Sequence, residues 1–260
     1  MSPVGASIAL WEWCAASWRT WNFGAILLVL ALTPSSYAHP RVGAAMARHS
    51  WVDTAPILPG FSLLAALLTV VLTRIVIVTA QSYGLSQYAL EVVIRVLVLE
   101  LVPLTASLFV ALRCTIPNGA ALAEMRRTGH FDDLRRRGLD PAVEEVLPRM
   151  VAGAFSTITL AALSCFLAAI LAYLAVYGFT TAGLPAYTRM FGHVFHPSVA
   201  LIFGAKTAFF ALAVAIIPMA SGAAGVALSG SRESAALQGL VRMFAVLLVL
   251  EAAGLVGNYY

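Results

Sequence analysis

Five stretches of this chain are each long and apolar enough to cross a lipid bilayer, and that property fixes the class of fold. They run from about Ala55 to Thr79, Tyr88 to Leu112, Met150 to Phe179, Pro197 to Ala220 and Ala235 to Asn258. Crossing about 30 Å of hydrocarbon takes roughly 20 helical residues. No water satisfies backbone N–H and C=O groups there, so only a helix or a closed barrel spans it. The runs are continuous, without the alternation that barrel strands need. Composition agrees: of 260 residues, 61% are hydrophobic and 11% charged, where a soluble domain carries roughly 25% charged residues. A soluble core of this size does not hide so much apolar surface. The expected fold is all-α and polytopic, with one membrane domain filling residues 1–260 and five spans within 55–258.

Charge placement sets the orientation. Of the 16 basic residues only Lys206 is a lysine. Arg113, Arg126, Arg127, Arg135, Arg136, Arg137 and Arg149 gather between the second and third runs, and Arg232 lies between the fourth and fifth. The Ala80–Gln87 loop has no charge, and the loop after the third run has only Arg189. Basic loops stay on the cytoplasmic side, so the N-terminus and the 113–149 loop are expected there and the C-terminal tyrosines outside. Arginines distributed this way are orientation signals, and no nucleic-acid partner is read from them. Cys14, Cys114 and Cys165 are scattered and read as small buried hydrophobes, not as a disulfide framework or metal site.

Two readings compete for the N-terminal region. Arg19, the apolar run Phe23–Leu32 and the small residues Ser36-Tyr-Ala38 imitate a cleavable signal peptide. Trp11, Trp13, Trp18 and Trp21, with Arg19, Arg41 and Arg48, instead suit a helical region over 10–50 lying in the membrane interface. The interfacial reading is the expected one.

The most informative stretch is 122–140. Leu122, Met125, Phe131, Leu134 and Leu139 make a sparse apolar face at helical spacing, among charges of both signs. Gly138 reads as a helix stop, and Asp140-Pro141 as the cap and first turn of the next helix. Such a segment is either a charged helix offered to a cytoplasmic motor or a solvated connector that only sets topology.

Charges inside the spans are expensive, roughly 2.5–3.5 kcal/mol each at mid-bilayer, and mark a function or a partner. Glu100 lies beside Pro103, with Arg74 and Arg95 as candidate ion-pair partners; Lys206 and Glu251 are expected to pair between spans four and five. Other motifs fail. Gly204-Ala-Lys206-Thr207 lacks the leading glycine of a phosphate loop and lies inside an apolar run. His193 and His196 have no third ligand nearby, and no catalytic constellation is visible.

From Glu100 to Pro141 the chain resembles the MlaE family, the permeases of lipid-moving ABC transporters associated with MCE proteins. Where the family has E-L-G-P, this chain reads Glu100-Leu-Val-Pro103. Met125-Arg-Arg-Thr128 through Gly138-Leu-Asp140-Pro141 matches the family's M-R-x-T-E-Q coupling helix, and Gln81-Ser-Tyr83 and Pro148-Arg149 fall at corresponding places. Departures stand at Leu112, Thr115, Ala121 and Gly129, with His130 in the glutamine slot.

The resemblance implies a permease subunit in the bacterial inner membrane that moves phospholipid between that membrane and the periplasm. It implies a coupling helix at 122–140 that meets ABC ATPase subunits through Met125, Arg126, Phe131, Asp132, Leu134, Arg135, Arg136, Arg137 and Asp140. It also implies a lipid-binding cavity at Gln81, Tyr83, Leu97 and Glu100. ATP would bind the partner subunits, leaving this chain without cofactor or catalysis. Further implied partners are a periplasmic MCE-domain protein, a small cytoplasmic accessory protein, and a second copy or a homologous permease completing a dimer. A small-solute importer permease and a non-transporting assembly factor are the alternatives.

Overall fold

The computed structural model describes residues 18, 22–37, 40–85, 88–223 and 232–259. Among them there is no strand, and five helices are long and apolar enough to cross a membrane. In chain order the helices are α1 (Asn22–Leu32), α2 (Pro40–Thr54), α3 (Leu58–Ser82), α4 (Ala89–Arg127), α5 (His130–Arg136), α6 (Ala142–Tyr177), α7 (Leu184–Val194), α8 (Pro197–Ala223) and α9 (Arg232–Tyr259). The spanning helices are α3, α4, α6, α8 and α9, so the chain is an all-α, multi-pass membrane protein.

Several boundaries differ from the sequence expectation. The second span continues past Leu112 to Arg127, and the third begins at Ala142 instead of Met150. Helical hydrogen bonding does not stop where hydrocarbon ends, so charges that close an apolar run do not close a helix. The expected 122–140 helix is two pieces, the end of α4 and the short α5. Thr128-Gly129 parts them, with Gly129 at φ +79°; a left-handed residue ends a helix and suits glycine. The described part of the N-terminal region includes α1, a short 3-10 turn at Pro34–Tyr37 and α2. Residues 10–17, 19–21 and 38–39 lie outside the described residues, and so does Ala38 of the signal-peptide reading.

Prolines explain an irregularity in the long spans. α4 widens into π-helix at Val93–Leu101 and Ala111–Thr115, and α6 at Ala142–Val146. The N–H groups of Val102, Ile116 and Leu147 accordingly donate five residues back, to the carbonyls of Leu97, Ala111 and Ala142. Each π segment ends two residues before a proline: Pro103, Pro117 and Pro148. A proline has no N–H, and its ring presses on the carbonyl four residues earlier. Those carbonyls belong to Leu99, Arg113 and Glu144, each inside a π segment, where the wider turn relieves the clash. Such segments concentrate at functional sites.

The chain divides into two compact units. The first comprises Met1–Thr54, Val110–Ser156 and Leu212–Val246. Its core joins Leu27, Val42, Leu122, Phe131, Val146, Leu147, Met150 and Met219. There α4 and α8 approach so closely that a Cβ on Gly119 would stand 2.5 Å from the Pro218 carbonyl oxygen, and one on Gly222 would strike the Gly119 carbonyl. Small residues at a helix crossing are how membrane helices gain packing, since lipid tails are as apolar as leucine. The second unit comprises Ala55–Phe109, Thr157–Ala211 and Leu247–Tyr260. Val93, Leu97, Val98 and Val102 of α4 pack there on Ala168 and Ala172 of α6. Leu90, Ile94 and Leu99 meet α7, beside a run of aromatic contacts through Tyr173, Tyr187, Phe191, Phe195 and Phe203. Leu63, Leu67, Val71, Ile75 and Val78 form an exposed stripe along α3, an outward face suited to lipid.

Candidate functional site

In the second unit, three charged side chains from three spans meet in an apolar surround. Glu100 sits in the π segment of α4, Lys206 one-third of the way along α8, and Glu251 in the last third of α9. The Lys206 Nζ donates to Glu100 Oε2 and lies 2.8 Å from Glu251 Oε2. The three side chains are 4%, 10% and 14% exposed. The Phe210 ring faces the ammonium at 5.6 Å, and Gly254 leaves room for the lysine stem, whose Cδ would lie 3.1 Å from a Cβ there. The expected Lys206–Glu251 pair is therefore present. Glu100 joins it, while Arg95, one of the two partners considered for Glu100, bridges to Glu91 at 3.0 Å on its own helix.

The residues assigned by resemblance to a lipid-binding cavity separate into two settings. Glu100 and Leu97, three apart on α4, are both buried, and Leu97 belongs to the apolar core. Gln81 and Tyr83 lie at the C-terminal end of α3, where Tyr83 is 76% exposed. Leu97 and Glu100 are thus held by packing, and Gln81 and Tyr83 are open to whatever surrounds the protein.

In the first unit, the 122–140 segment has a buried side and a charged side. Phe131 and Leu122 enter the core, Met125 packs against it, and Leu134 is half-buried. Outward, Asp132 pairs with Arg135 at 3.2 Å and Asp133 with Arg136 at 3.8 Å, while Arg137 is exposed. Arg126 reaches the Ala223 carbonyl at 3.4 Å. A cavity of about 550 Å³ opens beside this surface, lined by Phe23, Ile26, Arg126, Phe131, Asp132 and Arg135 among others. Asp140 caps α6 by accepting from the Ala142 N–H at 2.9 Å, as Asp140-Pro141 suggested.

A polar network that sequence reasoning did not find ties α2, α4 and α6 together behind this surface. Asn118 donates to Asp53 Oδ2 at 2.8 Å, and the Cys114 thiol to the Asp53 carbonyl at 3.2 Å. Thr54 and Ser156 share a hydrogen bond of 2.7 Å. Glu145 holds Arg149 at 2.5 Å and also stands 3.5 Å from His130 of α5. Burial raises the Asp53 carboxyl above its usual value, against the opposing Asn118 hydrogen bond. Burial, with the Arg149 charge next, holds His49 below its ordinary value. The available signals were His49 and Asp53, and Glu145 and Arg149, each at i,i+4; ordinary polar residues at that spacing do not reveal which helices they face.

Chemically, the first unit offers a charged surface anchored by an apolar core, and the second a buried cluster of one ammonium and two carboxyl groups among spanning helices. Among the described residues no three His, Cys, Asp or Glu side chains gather as a metal site. No curated protein matches the chain. The family model described as Permease MlaE matches residues 46–255, which include most of α2, all of α3 through α8 and most of α9.

Proposed function

Because the chain belongs to the MlaE permease family, whose members are ABC-type membrane transport subunits and not enzymes, we propose that it moves phospholipid between the bacterial inner membrane and the periplasm. The observation that carries this reading is the extent of the match, which includes both the charged 122–140 segment and all three spans that meet at Lys206.

In this reading ABC ATPase subunits dock on the end of α4 and on α5, through Met125, Arg126, Phe131, Asp132, Leu134, Arg135, Arg136, Arg137 and Asp140. ATP binds those partners. The N-terminus and this segment face the cytoplasm, and the C-terminus faces the periplasm, where an MCE-domain protein receives or delivers lipid. A second copy or a homologous permease completes the path. Gln81, Tyr83, Leu97 and Glu100 border the lipid, with the exposed tyrosine and glutamine toward the headgroup and leucine toward the chains. The chain has no chemistry to drive movement. The work comes from nucleotide closure, which favours one arrangement of the spans only through differential contacts at the docking surface. Gly129 supports a further element of the reading. It breaks the helix where the family motif has glutamate, so coupling differs from the family pattern or relies on a partner permease that keeps that motif.

The test is purification of the intact complex from membranes, followed by reconstitution with labelled phospholipid. Co-purified ATPase subunits, bound phospholipid and ATP-dependent lipid movement are expected. An ATPase without lipid would replace this reading with solute import, and neither would leave an assembly factor.

A further inference from the structure

Arg74 is the single charged residue of α3, and it faces away from the rest of the second unit. The buried residues Phe61, Ala65, Thr69 and Thr73 recur every four positions and mark the inward side of the helix. By the 3.6-residue period, Arg74 falls on the opposite side with Leu67, Val71 and Val78, all of them exposed. Considered from sequence as a partner for Glu100, Arg74 has no hydrogen bond or ion pair among the described residues. The acidic side chains of the second unit are engaged elsewhere, Glu91 with Arg95, and Glu100 and Glu251 with Lys206. Depth makes this placement costly. Arg74 precedes Ser82, the last residue of α3, by about 12 Å of helix. Gln81 stands two turns beyond it on the same side, and the exposed Tyr83 follows, a residue type that favours the headgroup level. A guanidinium within the hydrocarbon persists against an anion, or with water and headgroups drawn in around it.

We propose that Arg74 binds the phosphate of a phospholipid drawn below headgroup level along the exposed side of α3, at a loading point for lipid entering the protein. The planar guanidinium offers paired N–H groups that match two phosphate oxygens. Leu67, Val71 and Val78 around it suit acyl chains and give a free phosphate ion nothing further to bind. Gln81 offers an amide to the headgroup above. An acidic residue on a partner helix is the competing occupant, and the surface disfavours it. Membrane helices pack on one another through small residues, whereas the exposed side of α3 is built of leucine, isoleucine and valine. Helical side chains start toward the N-terminus of their helix, here away from the nearer headgroup level, so the phosphate comes to the arginine. The contact follows from this placement alone; its use in transport rests on the phospholipid cargo proposed above.

Native mass spectrometry of the full-length protein, released from nanodiscs of phosphatidylethanolamine and phosphatidylglycerol, tests the contact. The wild type should retain a phospholipid that Arg74→Leu loses, with the lipid-bound fraction falling at least fivefold. Arg74→Gln should behave alike and serves if the leucine variant does not fold. Arg189→Leu, which removes an exposed arginine elsewhere in the same unit, should keep the lipid. Retention by both Arg74 variants would overturn the inference while leaving the phospholipid reading standing, and equal loss in Arg189→Leu would overturn it too. Release of a co-purified protein with the lipid unchanged would assign Arg74 to a partner helix instead. In the reconstituted complex, Arg74→Leu should slow ATP-dependent lipid transfer at least fivefold, and unchanged transfer would overturn the loading role.

Discussion

The Lys206 ammonium lies 2.8 Å from the Glu251 carboxylate, joining α8 to α9 inside the second unit, and the same ammonium donates to Glu100 of α4. One lysine thus ties three spans together. Breaking a buried pair by removing one partner leaves an uncompensated charge and typically costs about 3–5 kcal/mol. Lys206→Met should therefore lower stability by about that amount, read as a drop in thermal unfolding midpoint in detergent. Adding Glu251→Gln should restore part of the loss. Strictly additive effects in that double-mutant cycle would show that the two side chains do not act on one another.

Close approach of α4 and α8 makes a second prediction. Gly222→Ala drives a methyl group into the Gly119 carbonyl, where backbone does not yield easily. Overpacking of this kind costs about 1–3 kcal/mol. Gly204, on the same α8, meets nothing within 4 Å, so Gly204→Ala should be neutral or stabilise by up to about 1 kcal/mol through the alanine preference for helix. Equal unfolding midpoints for the two variants would refute the tight crossing.

The five spans were legible from the first reading because lipid imposes a simple rule on sequence: roughly 20 apolar residues in helix. The ends were less legible. Arg113 and Arg126 mark where the second run becomes polar, yet α4 continues to Arg127 because helical hydrogen bonding, with Leu122 packed in the core, carries on beyond the apolar run. Pro103, Pro117 and Pro148 were visible, but the π turns before them depend on how the surrounding helix yields to each ring. For the site, Lys206 and Glu251 could be paired from sequence because a charge inside an apolar run needs a partner. That Glu100 makes a third member depends on which helices adjoin, and nothing local encodes this. Asp53 carried only its i,i+4 spacing from His49, and Asn118 is an ordinary polar residue; neither reveals that the two side chains meet.

The charged face of α5 supplies a third prediction. Its ion pairs, Asp132 with Arg135 and Asp133 with Arg136, are exposed, and such pairs are worth less than about 1 kcal/mol. Phe131, buried in the core, anchors the segment independently. Reversing charge at Arg135, Arg136 and Arg137 should therefore leave membrane insertion and folding intact while abolishing lipid-stimulated ATP hydrolysis in the reconstituted complex. Unchanged stimulation would remove these arginines from the docking surface.

Acid should weaken the first unit through His49. Its folded value lies below the ordinary 6.5, with burial as the main cause and the Arg149 charge second. Between the folded and unfolded values the unfolded chain binds more protons, so stability rises with pH in that window. The His49 contribution is complete above 6.5 and is lost as pH falls from there toward the folded value. Asp53 acts with the opposite sign: its value is raised above 3.8 by burial, so ionising it opposes folding at neutral pH, and protonation relieves that penalty on the more acidic side. The histidine window runs downward from 6.5 and the aspartate window upward from 3.8. His49→Gln removes that loss and leaves the aspartate term, so unfolding midpoints of the variant, measured in steps from pH 7.5 down to about 5, should fall less steeply than those of the wild type. Parallel curves would mean that His49 is as free to take up a proton in the folded protein as in the unfolded one.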